Sequence, residues 1–240
     1  ELVDSTRFWL NSLNRFFGNK QIFPVLELKN PTFRNNPHNE NFTGEFKPRF
    51  DKTGISDYYL PAVNDSTLTL IKNELFYRTF SEIYPGKLFL SSQSNGKSKL
   101  QKLFYDEAIL AAWNLYCADL LAENGFINSM TGVHLYFLHK KMIMVFKIML
   151  QHAILENSEN LKEIFTLVDK WIFDVSSHQK LIKPTFDIVT AAGYFTYIEI
   201  LESRNRFTGK SNEKNNLMNF HDKFIHSGAV NFNIKQNELN

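Results

Sequence analysis

Six or seven segments of the chain repeat apolar residues every three or four positions, the spacing of one face of an α-helix. Several segments also have a recognisable start or stop, such as Gly18 after the first and Pro85 after the second. The predicted helices cover residues 5–17, 64–84, 98–124, 130–156, 158–174, 184–206 and 217–228. The sequence therefore predicts an all-α fold, an irregular bundle of six to seven helices, with a short helical-repeat solenoid as the alternative.

Two of the predicted helices carry information about packing. The helix at 130–156 is apolar nearly all round, which favours a position in the centre of the bundle. The helix at 98–124 repeats small residues along one stripe, which indicates close approach by a neighbouring helix. On other helices, the apolar stripes place Phe8 and Trp171 among the inward-facing residues.

The chain is long enough to bury a core by itself, and 43% of its residues are hydrophobic. We predict one helical domain over residues 1–240, with a peripheral C-terminal extension at 208–240 where the composition becomes polar after Gly209. A minor two-stranded β element that pairs 22–28 with 229–234 is also compatible with the pattern. Because the chain begins at Glu1, we expect a processed protein or an excerpt of a longer one.

A long segment rich in Pro and Asn, residues 30–56, interrupts the helical pattern and contains four phenylalanines. We expect an irregular loop that wraps over the bundle with its rings in surface grooves, since each buried ring contributes roughly 1.5–3 kcal/mol. The alternative is a segment that binds a partner. In that case the partner-binding residues are Phe33, Phe42, Phe46, Arg49 and Phe50.

The tripeptide Gly96, Lys97, Ser98 follows a short β-like run at 87–90 and a polar loop, and it opens a predicted helix. That order is the one a phosphate-binding loop needs, because backbone N–H groups and the lysine hold the phosphates. However, Ser91 stands where the phosphate loop requires its first glycine. The alternating strands and helices of a parallel sheet are also missing. A solvated loop that ends in a serine cap is therefore the favoured interpretation, and a nucleotide- or phosphate-binding enzyme is kept as an alternative.

A formal charge of +2 provides no global field that would attract nucleic acid. Two local basic clusters remain, one at Lys97, Lys99 and Lys102 and one in residues 124–155, which contain three lysines, three histidines and no acid. With the loop phenylalanines as stacking rings, these clusters make nucleic-acid binding possible but not favoured. Acidic residues of the 98–124 helix, such as Asp119 and Glu123, are expected to neutralise some of these lysines.

No group of residues passes the geometric test for a catalytic or metal site. His134 and His139 point in different directions on one helix, and the single cysteine, Cys117, excludes a disulfide and multi-thiolate metal sites. Asp222 lies between His221 and His226, but neighbouring helix positions diverge, and surface residues are expected there. We predict no catalytic residue, no metal and no cofactor.

These observations lead to a functional hypothesis. We expect a non-catalytic interaction or assembly subunit that binds a protein partner or forms an oligomer, on a helical scaffold without a disulfide. The apolar stretch 133–155 has the length of a membrane span, but its lysines favour a helix of a soluble protein and no transmembrane segment. Localisation is unknown, with an intracellular site slightly favoured.

Overall fold

The computed structural model describes residues 2–23, 32–35, 45–47, 57–60, 75–92, 106–156, 159–171, 188–209 and 216–226. Its helices are α1 (Leu2–Asn19), α2 (75–78, continued by a π-helical turn at Thr79–Ile83), α3 (Lys87–Ser92), α4 (Glu107–Glu123), α5 (Thr131–Leu155), α6 (Leu161–Trp171), α7 (Ile188–Gly209) and α8 (Asn216–His226). The strands are β1 (Thr32–Asn35), β2 (Glu45–Lys47) and β3 (Asp57–Leu60). The fold is the predicted all-α bundle, with one small sheet added. None of the helices in the described ranges is both long and apolar enough to cross a bilayer.

Helix α4 forms the centre of the bundle. Asp106 precedes it in an extended conformation, and its side chain accepts a hydrogen bond from the Ala108 N–H at 2.9 Å. Large residues along α4, such as Trp113 and Tyr116, are fully buried, and Cys117 packs among them as a small apolar group, as predicted. Because α1, α3, α5, α7 and α8 contribute to the same cluster, α4 is covered from several sides.

Small residues bring α7 close to α4, which confirms the prediction from the small-residue stripe. Gly193 of α7 faces Ala111 so closely that a Cβ built on the glycine would lie 2.7 Å from the Ala111 Cβ and 3.4 Å from the Ala108 carbonyl oxygen. Real carbon atoms in contact are about 3.5–4.0 Å apart. Glycine is therefore required at this crossing by space and not by backbone conformation.

Helix α5 is not in the centre of the bundle, so the prediction for residues 130–156 is correct in its extent and wrong in its place. Val133 and Phe137, near the start of α5, are buried in the main core. Phe146 and Leu150, further along, are buried in a second cluster with Ile164 and Val168 of α6. At 3.6 residues per turn, the two buried faces of α5 differ in direction by about 140°. The helix is apolar all round because it serves two cores in succession, and its remaining residues are partly buried or exposed.

The segment predicted as an irregular loop contains short strands. β3 is the middle strand of a three-stranded sheet, parallel to β1 and antiparallel to β2. Two of its strands lie inside residues 30–56, and the third follows directly. The predicted pairing of 22–28 with 229–234 falls mostly outside the described residues.

The region around the predicted phosphate loop also differs from expectation. Residues 87–90, read as β-like, belong to helix α3. The next described helix begins at Glu107, where the extended Asp106 caps it, and Ser98 lies outside the described residues. Short apolar runs do not distinguish strands from helices, and a cap inside a long polar-apolar pattern is easily taken for helix interior.

Helix α8 belongs to the main core, although residues 208–240 were predicted as peripheral. Phe220, Phe224 and Ile225 are fully buried, and the Phe224 ring stacks on Trp113 at 4.9 Å between centroids. Conversely, Phe8 and Trp171, predicted to face inward, are exposed. Each lies at the edge of its helical stripe, where a small rotation of the helix decides between core and solvent.

Candidate functional site

The predicted partner-binding residues are divided between strands and regions outside the described residues. Phe33 lies in β1 and Phe46 in β2, and both are in register with Tyr58 of β3. Phe42, Arg49 and Phe50 lie outside the described residues, as do Gly96, Lys97 and Ser98 of the predicted phosphate loop. Both site predictions therefore stay predictions.

A polar cluster joins α4, α5 and α7. Lys141 of α5 lies 3.1 and 3.2 Å from the two carboxylate oxygens of Asp119 and donates to the Tyr197 hydroxyl at 2.8 Å. Tyr197 in turn donates to Asp119. Burial by itself would lower the pKa of Lys141, but its hydrogen bonds to Tyr197 and Asp119 raise that pKa above its usual value. The cluster thus keeps Lys141 charged, and the expected neutralisation of a lysine by Asp119 is confirmed.

A second polar chain runs through the main core. The buried His221 donates from Nδ1 to the Ile22 carbonyl at 2.5 Å, so its Nε2 accepts from the Tyr116 hydroxyl at 2.6 Å. Burial lowers the pKa of His221 to about 3. The prediction that His221 is a surface residue is therefore wrong.

Both members of this pair are unsuited to acid-base catalysis. Burial also raises the pKa of Tyr116, which opposes ionisation of the phenol. A neutral histidine and a neutral tyrosine that are both fully buried and hydrogen-bonded serve packing specificity rather than proton transfer to a substrate. Among the described residues, no group of three or more His, Cys, Asp or Glu side chains is placed to bind a metal ion.

The outer face of α5 carries a stripe of apolar side chains, which we call the α5 stripe. Its residues are separated by three, four, three and four positions: Leu135, Leu138, Met142, Val145 and Met149. The exposed fractions are 60% for Leu135, 53% for Leu138 and 37% for Met149. Met142 and Val145 are half-buried, and Met142 packs against the cluster shared with α6. Alternating steps of three and four are the spacing of a coiled-coil seam.

The sequence prediction missed the α5 stripe although its spacing is visible in the sequence. Because apolar residues occur on every side of α5, the heptad pattern is hidden among those that serve the two cores. In the structure, Phe137 is buried in one cluster and Phe146 in the other. This burial identifies which apolar residues of α5 face a core and which face outward. The signal could have been found by testing for heptad spacing along with the 3.6-residue period.

Comparison with known proteins supports the fold. No family model matches the chain, and no curated protein sequence matches it. A crystal structure of a protein provisionally described as a lipoprotein, from Colwellia psychrerythraea, superposes with a TM-score of 0.75 at 15% sequence identity. The similarity covers 100% of this chain and 42% of that protein, so this chain spans less than half of its structural neighbour. At this identity the likeness extends to the fold alone.

Proposed function

We propose that this protein is a non-catalytic interaction subunit that binds an amphipathic helix of a protein partner along the α5 stripe. The observation that carries the proposal is the heptad spacing of apolar side chains on an exposed helix face. The stripe extends over about 21 Å, the length of fourteen residues of helix. A partner helix of about four turns with apolar residues at matching positions fits this length.

The exposed apolar area on the stripe contributes to binding. Leu135 and Leu138 are more than half exposed, and burying an exposed leucine fully contributes about 1.5–3 kcal/mol. Met142 and Met149 add flexible side chains that adapt to the partner's surface. Several such residues together offset part of the cost of association.

The charge around the stripe indicates the chemistry of the partner. Residues 124–155 contain three lysines, three histidines and no Asp or Glu. Lys141 forms an ion pair with Asp119, and Lys140 and Lys147 lie on the side of α5 opposite the stripe, so the helix acts through its overall basic charge and not through a direct contact. A second copy of α5 would bring like charges together, so a partner helix with Glu or Asp beside its apolar seam is favoured.

Direct binding of designed peptides tests this proposal. A fluorescein-labelled helical peptide with Leu at the seam positions and Glu beside them is titrated with the protein and followed by fluorescence anisotropy. We expect saturable binding that Leu135→Glu weakens at least about tenfold, since a charge replaces a buried leucine. Phe195→Glu is the matched control, because Phe195 lies on α7 with a similar exposed fraction of 62%.

Three outcomes would contradict the proposal. Equal or tighter binding of the same peptide with Lys in place of Glu would reject an acidic partner. An equal loss in the Leu135→Glu and Phe195→Glu variants would reject the stripe as the binding surface. A dimer in analytical ultracentrifugation that Leu135→Glu dissociates would assign the stripe to a second copy of the chain.

The alternative functions remain predictions. A nucleotide-binding enzyme would use Lys97 and Ser98, and a nucleic-acid-binding domain would use the basic clusters with the phenylalanines of residues 30–56. The residues on which both depend lie mostly outside the described ranges. The α5 stripe is favoured because its apolar residues follow a heptad spacing and three of them are exposed.

A further inference from the structure

A cavity of about 110 Å³ lies between α4 and α5, partly open to solvent, on the side of α5 next to the stripe. Its walls are mainly apolar and include Ala118 and Ala122 of α4 and Phe137 and Met144 of α5. The two alanines leave space where larger residues of α4 would fill the gap between the helices. An apolar cavity of about 150 Å³ in another protein takes up benzene, and this somewhat smaller cavity, which is partly open to solvent, has the size for one six-membered ring.

The polar residues of the cavity show which chemical class fits it. Asp119 and Lys141 line one part, but they already satisfy each other at 3.1 Å, together with Tyr197. Asn114 also lines the cavity, and its side-chain Oδ1 is buried without a hydrogen-bond partner. A buried carbonyl oxygen without a donor is unfavourable, and a ligand that donates a hydrogen bond removes this penalty.

We propose that this cavity is a binding site for small neutral aromatic or cyclic molecules that carry one hydroxyl donor. The ring occupies the apolar part between Ala118 and Phe137, and a rotation of the Asn114 amide presents its oxygen, which is covered in the structure, to the hydroxyl. A neutral head is favoured because Lys141, which lines the same small space, already forms an ion pair with Asp119. This proposal goes beyond the helix-binding function: Leu138 of the stripe lines one edge of the cavity, but Leu135 and Met149 do not line it.

The test uses phenol, toluene and benzoate as probes, since they share a ring and differ in the head group. Binding to the full chain is followed by NMR on protein labelled with ¹³C in the methionine methyl groups, of which there are five. The Met144 signal is assigned by a Met144→Leu variant. We expect this signal to shift with phenol, and phenol to bind about tenfold more tightly than toluene, as one added hydrogen bond provides.

Two variants test the hydrogen bond and the cavity volume separately. Asn114→Leu removes the acceptor, and we expect it to abolish the preference for phenol over toluene. Ala118→Leu fills the cavity, and we expect it to weaken both ligands. Leu135→Glu is the matched control and leaves both affinities unchanged.

Any of the following three results would overturn the proposal. Equal affinity of the parent protein for phenol and toluene would reject the role of Asn114. Tighter binding of benzoate would mean that the lysines select an anion. If none of the three probes shifts the Met144 signal, a ligand site in this cavity is rejected. This test uses the parent protein, so it does not require the Asn114 or Ala118 variants to fold. Because none of these outcomes involves the designed peptide, failure here leaves the proposed helix-binding function standing.

Discussion

The contact between Gly193 and Ala111 predicts an unusual response to a mild substitution. Replacing glycine by alanine inside a helix normally stabilises a protein by up to about 1 kcal/mol, because alanine has the higher helix propensity. At Gly193 the new Cβ would lie 2.7 Å from the Ala111 Cβ, about 1 Å closer than carbon atoms normally approach. Ala111 cannot rotate away because its Cβ is fixed to the backbone, so α4 and α7 have to separate.

The magnitude follows from these two opposing effects. Overpacking of a core by one methyl group costs about 1–3 kcal/mol, and the propensity gain offsets up to about 1 kcal/mol of it. We therefore expect Gly193→Ala to lower the free energy of unfolding by up to about 2 kcal/mol. In a chain of this length, that corresponds to a fall in Tm of roughly 2–4 °C per kcal/mol.

Two further variants make the measurement decisive. Gly18 lies in α1 with nothing within 4 Å of a built Cβ, so Gly18→Ala reports the propensity gain alone and is expected to be neutral or stabilising. The double variant Gly193→Ala with Ala111→Gly restores the space, and we expect a favourable coupling in a double-mutant cycle of urea denaturation. If Gly193→Ala stabilises the protein as much as Gly18→Ala does, the close approach of α4 and α7 is refuted.

Two other predictions concern a turn and a buried histidine. Gly86 follows α2, and a Cβ there would lie 1.9 Å from the Ser81 carbonyl oxygen, so we expect Gly86→Ala to cost about 3 kcal/mol or more in urea denaturation, because backbone atoms have to move. A cost below that of Gly193→Ala would contradict this. Burial lowers the pKa of His221 to about 3. We therefore expect the free energy of unfolding to decrease as the pH is lowered below about 6.5, because in that range only the unfolded state takes up the proton. Between pH 7 and pH 5 this loss is about 2 kcal/mol, and His221→Gln should abolish it while His226→Gln, at an exposed position, should not. An unchanged slope in the His221 variant would show that other groups cause the pH dependence.

Much of the helical architecture was predictable because helix periodicity is a local property. The boundaries of α5 were predicted within a residue or so, and the small residues of α4 correctly indicated a close neighbour. The position of α5 in the bundle was harder to predict, because a helix that is apolar on all sides is compatible both with one surrounding core and with two cores in succession. The burial of His221 depends on the Ile22 carbonyl, far away in sequence, and no local pattern contains that information.

The candidate sites also combine features that are visible in the sequence with features that only the fold provides. The spacing of Leu135, Leu138 and Met149 is a property of the sequence, whereas their exposure is a property of the packing of α5 against α4 and α6. The cavity beside Asn114 arises only from the juxtaposition of two helices, and neither helix shows it alone. For these sites the sequence provides the residues, and the fold decides which of them remain available to a ligand.

The hydrogen bond from His221 to the Ile22 carbonyl has a consequence for how the protein is made. It joins residues 199 positions apart, and the rings of Phe23, Trp113 and Phe224 pack around the same place. At 5–20 residues per second, a ribosome needs roughly 10–40 s between the synthesis of these two residues. During that interval the apolar groove that later receives α8 is without its cover. We therefore expect the nascent chain to expose this apolar surface until α8 emerges.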